Sequence, residues 1–169
     1  MKYVIVTVLK WVFLFLAAVL VQASIAPKIA IFGISPDFVM LLLFIFAIEY
    51  GKTSGILVGF IVGLFVDVYS AGILGVNALA KTTIGGAVGF FNRKNFMVGL
   101  VFQLILLTTA IIIHDIIIYI VNMVKTDENI VEIYKYIFSS SLPRAIYTTF
   151  VAALFFVLSD LFFPTKWRY

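Results

Sequence analysis

Ser54-Gly55-Ile56-Leu57-Val58-Gly59-Phe60-Ile61-Val62-Gly63-Leu64-Phe65-Val66-Asp67-Val68-Tyr69 runs for sixteen residues with a single charge, near its end. A helix at the surface of a water-soluble domain needs a polar face, and this stretch has none, so it reads as a bilayer-spanning helix. Gly55, Gly59, Gly63 and Asp67 recur every four residues, which puts them on one slowly turning stripe. Small residues at this spacing let two backbones approach closely in lipid. Tight packing against another helix of the same chain is the first expectation for the stripe, and packing against a partner's helix the second.

The rest of the chain has the same character. Of its 169 residues, 64% are hydrophobic and 12% charged, and the mean hydropathy is +1.20. A soluble domain is nearer half apolar with about a quarter of its residues charged. One integral membrane domain over residues 1–169 is expected. There is no cysteine and one histidine. That excludes disulfides, thiolate metal sites and multi-histidine cages, so neither a metal nor another cofactor is expected. The net charge of +4 is read as basic loops that set topology, not as a nucleic-acid surface.

Outward from 54–69, hydropathy divides the chain into six spans, at about 3–26, 36–50, 54–69, 72–91, 96–124 and 143–163. The fold class is thus an all-α, six-helix transmembrane bundle. A cleaved signal peptide is the alternative for the first stretch, but its length and the five spans after it argue against that. Lys10 snorkels and Trp11 marks the interface. Ser35 caps the second span, Pro36 takes the first helical position, and Asp37 sits in the positive end of the helix dipole. Residues 29–34 are placed in the membrane interface, and Ser70-Ala71 is a tight hairpin. Seven Lys and Arg fall on the side of the termini (Lys2, Lys10, Lys52, Arg93, Lys94, Lys166, Arg168) and four on the other (Lys28, Lys125, Lys135, Arg144). The positive-inside rule therefore predicts both termini in the cytoplasm. In the outer loop 125–142, Ile130, Ile133, Tyr134, Ile137 and Phe138 follow i, i+3, i+4, i+7, i+8 spacing, with Asp127 and Glu128 at the start. This predicts an amphipathic helix lying flat on the outer surface, a place where a partner can also dock.

With this topology several polar residues fall in the outer half of the bundle: Asp37, Asp67, Asn77, Lys81, His114, Asp115 and Arg144. A carboxylate inside a span needs a partner or water. An Asp67–Lys81 ion pair across the hairpin is one expectation, and a site for a ligand or partner is the other. His114, on one face with Gln103, suits an interhelical hydrogen bond better than a proton relay. No nucleophile elbow, phosphate loop or zinc-ligand pair is present, and an enzyme is not expected.

Three segments resemble the MreD family of bacterial rod shape-determining membrane proteins. Ser35-Pro36-Asp37 with Leu41-Leu42-Leu43 is similar to the start of its second span. Gly59 to Asp67 resembles its glycine-rich third span ending in aspartate, and Leu74-Gly75-Val76-Asn77-Ala78-Leu79 its following segment. Lys81 departs from the family's pattern, which is apolar there. The motifs cover about 36–91. The resemblance implies a non-enzymatic scaffold of the cell-elongation and peptidoglycan-synthesis machinery in the bacterial cytoplasmic membrane. It implies binding to MreC, which has one span and an extracytoplasmic coiled coil, and association with MreB, RodA and RodA's penicillin-binding transpeptidase. Pro36, Asp37, Gly55, Gly59, Gly63, Asp67, Gly75, Asn77 and Lys81 would serve helix packing or partner binding, with the outer loop as a second contact. The family is also similar in fold to the S-components of energy-coupling-factor vitamin transporters. On that alternative, Asp37, Asp67, Asn77, Lys81 and His114 would bind a small vitamin-like solute.

Overall fold

Thirteen residues, nearly all apolar, from Phe38 to Tyr50 form helix α2 at the centre of the bundle. Val39, Met40, Leu43, Phe44, Ala47 and Ile48 are buried, and α2 touches α1, α3, α4, α5 and α7. The coordinates are a computed structural model that describes residues 2–70, 73–92, 99–126 and 132–162, with side chains for 5–70, 73–92, 99–124 and 133–157. In chain order the helices are α1 (Lys2–Ser24), α2 (Phe38–Tyr50), α3 (Lys52–Ser70), α4 (Val76–Phe90), α5 (Leu100–Thr126), α6 (Glu132–Tyr136) and α7 (Leu142–Phe162). No strand of a sheet occurs among the described residues. The ends at which α1, α3 and α5 begin form the basal side of the molecule, and the opposite ends the apical side.

The stretches Ile5–Ser24, Lys52–Ser70, Leu100–Val124 and Ile133–Val157 are each long and apolar enough to cross a membrane. At 1.5 Å per residue, α2 and α4 are only about 20 Å long, against a hydrocarbon core of about 30 Å. Helix α2 is interior, whereas α4 is buried on most of its surface and leaves Leu79, Thr83, Ala87 and Phe90 exposed along one face. The expected spans shift accordingly. The second helix starts at Phe38, not 36, because Asp37 caps it and Ser35 does not. The fourth starts at Val76, not 72, because Gly75 stands before it with φ +100°. The expected Ser70-Ala71 turn falls partly outside the described residues, and Arg93-Lys94 of the basic turn lie wholly outside them.

Helix α1 packs mainly on α2, through aromatic rings near its basal third. The rings of Trp11 and Phe46 meet edge-on at 5.0 Å, Phe46 stacks on Tyr50 at 4.7 Å, and Trp11 Nε1 donates to Tyr50 Oη at 3.0 Å. An apolar groove of about 510 Å³ separates α1 from α3. Between α1 and α2, Ala26–Ile29 forms a 3-10 turn. Ile31 and Ile34 then exchange backbone hydrogen bonds at 3.0 Å, closing a tight turn over Phe32 (φ +51°) and Gly33 (φ +80°).

The outer loop differs from the amphipathic helix expected to lie flat. Helix α6 runs through a π turn, Ile137–Ser141, directly into α7. The run stands against α5, with Tyr136 stacked on Tyr119 at 4.7 Å. Lower down, the hydroxyls of Thr108 and Thr149 lie 2.8 Å apart. With 27 residues, α5 is about 40 Å long, so this antiparallel pair rises past the apical ends of α2 and α4.

Candidate functional site

Five helices, α2, α3, α4, α5 and α7, meet at the apical end and bring the predicted polar residues together. Asp67, 2% exposed, lies one turn from the end of α3 and points at the start of α4. Its Oδ2 accepts from the backbone N–H groups of Gly75 (2.9 Å) and Ala78 (3.1 Å). Its Oδ1 accepts from the backbone N–H of Asn77 (2.9 Å) and from Asn77 Nδ2 (3.0 Å). The first N–H groups of a helix have no partner within it, and the helix dipole favours an anion there. Asp67 thus caps α4 from another helix, and the carboxylate's charge is met by backbone dipoles. The expected ion pair with Lys81 is not formed.

Lys81, also 2% exposed, has other partners. Its Nζ donates to Asn77 Oδ1 at 3.2 Å and lies 2.9 Å from His114 Nε2. On its other side, His114 Nδ1 is 3.2 Å from Asp115 Oδ1, which also receives Arg144 at 3.3 Å. A carboxylate only accepts, so Nδ1 carries the proton and Nε2 takes the lysine's hydrogen bond. The chain Asn77–Lys81–His114–Asp115–Arg144 therefore crosses from α4 through α5 to α7. The other carboxylate oxygen of Asp115 and the hydroxyl of Ser141 are buried, and no described residue gives either a hydrogen bond. Asp37 stands beside this chain. Its Oδ1 caps α2 by accepting from Met40 N–H at 2.7 Å, its own N–H donates to Thr148 Oγ at 3.0 Å, and its charge acts on Lys81 and His114. Pro36 is buried, and its carbonyl accepts from Gln22 Nε2.

The glycine stripe faces α4. A Cβ on Gly55 would fall on the carbonyl of Gly85, one on Gly59 on the carbonyl of Lys81, and one on Gly63 on the backbone of Ala78. The stripe is taken up inside the α3–α4 hairpin. Gly75 does not share that role: nothing lies within 4 Å of a Cβ there, and its backbone conformation is what matters. In the outer segment, Ile133 and Ile137 are half-buried, while Tyr134 and Phe138 are each 69% exposed. Ile130 lies outside the described residues. Gln103 is buried, but His114 takes its partners from Lys81 and Asp115.

Two contributors were not among the predicted residues. Gln22 holds the start of α2 by receiving Phe38 N–H at 2.8 Å and donating to the Pro36 carbonyl. It is the one side-chain amide in the apolar stretch 3–26, which was the available signal. Thr148 gave no signal, because only the fold sets it opposite Asp37.

A helical bundle with long apolar helices, glycine-mediated packing in the hairpin and polar groups paired at one end defines an all-α membrane-type protein. The family model for rod shape-determining protein MreD matches residues 2–165. The chain belongs to that family of membrane proteins that determine rod shape. No curated protein and no solved structure matches it.

Proposed function

We propose that the protein is a non-enzymatic scaffold of the bacterial cell-elongation machinery and that its apical α5–α6–α7 hairpin receives MreC. The observation that carries this is the contrast between two surfaces. The glycine stripe is spent on packing within the chain, whereas Val124, Tyr134 and Phe138 stay exposed on a helical pair whose longer member, at about 40 Å, exceeds the roughly 30 Å hydrocarbon core. On this reading the three side chains stand at the apical rim of the hydrocarbon, where exposed apolar surface calls for a protein cover. If the excess of basic residues at the basal end faces the cytoplasm, the hairpin stands outside, on the side of MreC's coiled coil. MreB, RodA and its transpeptidase partner would join through or beside MreC in the cytoplasmic membrane. The S-component alternative gains little support, since Asp67, Asn77 and Lys81 already engage one another or backbone groups.

Co-purification in mild detergent with MreC, against an unrelated single-span protein, tests the proposal. A stable stoichiometric complex is expected. No complex from folded, monodisperse protein, together with a rise in melting temperature on adding a vitamin, would replace the scaffold with a receptor.

A further inference from the structure

The polar chain joins the α3–α4 hairpin to the α5–α7 pair, and its middle link is unusual: a buried amine faces a buried imidazole. We propose that Lys81 and His114 form a proton-operated latch that holds α4 to α5 at the apical end and opens when His114 takes a second proton.

The distances define the closed state. Lys81 Nζ and His114 Nε2 are 2.9 Å apart, a separation that holds one hydrogen. That proton belongs to the more basic amine, and Nε2 supplies the lone pair. Nδ1 keeps its own proton for Asp115 Oδ1. A proton added to Nε2 removes the only acceptor between the two groups. An ammonium and an imidazolium would then face each other in a site that is 2% exposed at both residues, where water screens little. The latch must part.

The surrounding charges decide which partner moves. Asp37 from α2, Asp115 on α5 and Arg144 from α7 act on the pair, as does Asp67 from α3, while Tyr136 of α6 faces Asp115. Asp37 and Asp67 are already committed to the first turns of α2 and α4. Asp115 is the carboxylate in contact with His114, so the imidazolium stays with it. Lys81 is the group displaced: among the described residues its other hydrogen bond is to Asn77, one turn away on its own helix, and the nearby carboxylates attract it without contact. Opening therefore breaks the polar link between α4 and α5 at the apical end, while the apolar packing of the two helices lower down, in the core that holds Ile84, Val88, Leu107 and Ile111, stays in place. The inference needs no partner protein and stands apart from the scaffold proposal.

His114 is the chain's single histidine, so its ring can be observed without assignment. The full chain, labelled with nitrogen-15 in histidine and placed in lipid nanodiscs, is followed by NMR from about pH 8 to about pH 5, the range in which imidazoles titrate. Amide hydrogen exchange is measured in parallel. At the upper pH the expected ring is neutral with the proton on Nδ1. On acidification it becomes an imidazolium, and the apical turns of α4 and α5 lose amide protection over the same interval. In His114→Gln the protection of those turns should not change with pH. The proposal is overturned by an Nε2–H tautomer or an imidazolium at the upper pH, by a ring still neutral at the lower pH, or by a titration with no loss of protection. A pH-dependent loss that persists in His114→Gln overturns it too.

Discussion

Asp67 accepts hydrogen bonds from Gly75, Asn77 and Ala78 and so takes over the cap that α4 lacks from its own sequence. Asp67→Ala would leave those N–H groups buried without partners. We expect a loss of about 2–4 kcal/mol in unfolding free energy, and a smaller loss for Asp67→Asn, which keeps an acceptor; equilibrium unfolding in detergent measures both. Gly59 makes a second local demand, since a Cβ there would fall on the carbonyl of Lys81. Gly59→Ala should cost about 1–3 kcal/mol through overpacking, whereas Gly99→Ala, with nothing within 4 Å, should be nearly silent. Phe32 is the reverse case. It is 99% exposed and holds φ at +51°, a conformation that strains most side chains. Phe32→Asn should relieve that strain and raise stability in detergent by about 1 kcal/mol. An unchanged melting temperature would show that burial of the Phe32 ring in detergent offsets the strain, since the chain itself leaves the ring exposed.

Helix α3 was legible because nothing interrupts its apolar run and its small residues keep one spacing. The start of α4 was not, because it depends on a positive φ at Gly75 and on a carboxylate reaching across from α3. Apolar residues before Val76 extend the hydropathy signal without extending the helix. The outer segment failed for a different reason. Its i, i+3, i+4 pattern is real, but half of that face, Ile133 and Ile137, turns inward. The π turn adds a residue that rotates the face as α6 enters α7, and the aromatic contact to α5 is made by Tyr136, outside the pattern. Tyr134 and Phe138 are left exposed on one face. Tyr134→Glu with Phe138→Glu should change stability by no more than about 0.5 kcal/mol while reducing MreC co-purification. Unfolding of the double variant would mean instead that these rings pack within the chain.

Across the whole molecule, membrane character and helix number follow from composition, and the clustering of polar groups follows from counting spans. The wiring of the cluster does not. Asp67 and Lys81 sit near one level on neighbouring helices, so an ion pair is the economical guess. Helix α4's unpaired N–H groups compete for the carboxylate, and His114, brought in by α5, competes for the amine. Such choices depend on how three helices meet. The same packing decides the role of the glycines, because a stripe buried between α3 and α4 leaves no surface there for a partner. The most direct test of the scaffold assignment is site-specific photocrosslinking to MreC in bilayers, with the probe at Tyr134 or Phe138 on the hairpin, or at Phe65 in the α1–α3 groove. We expect crosslinks from the two hairpin positions and none from the groove. Crosslinks from Phe65 alone would contradict the assignment and move the contact to the groove.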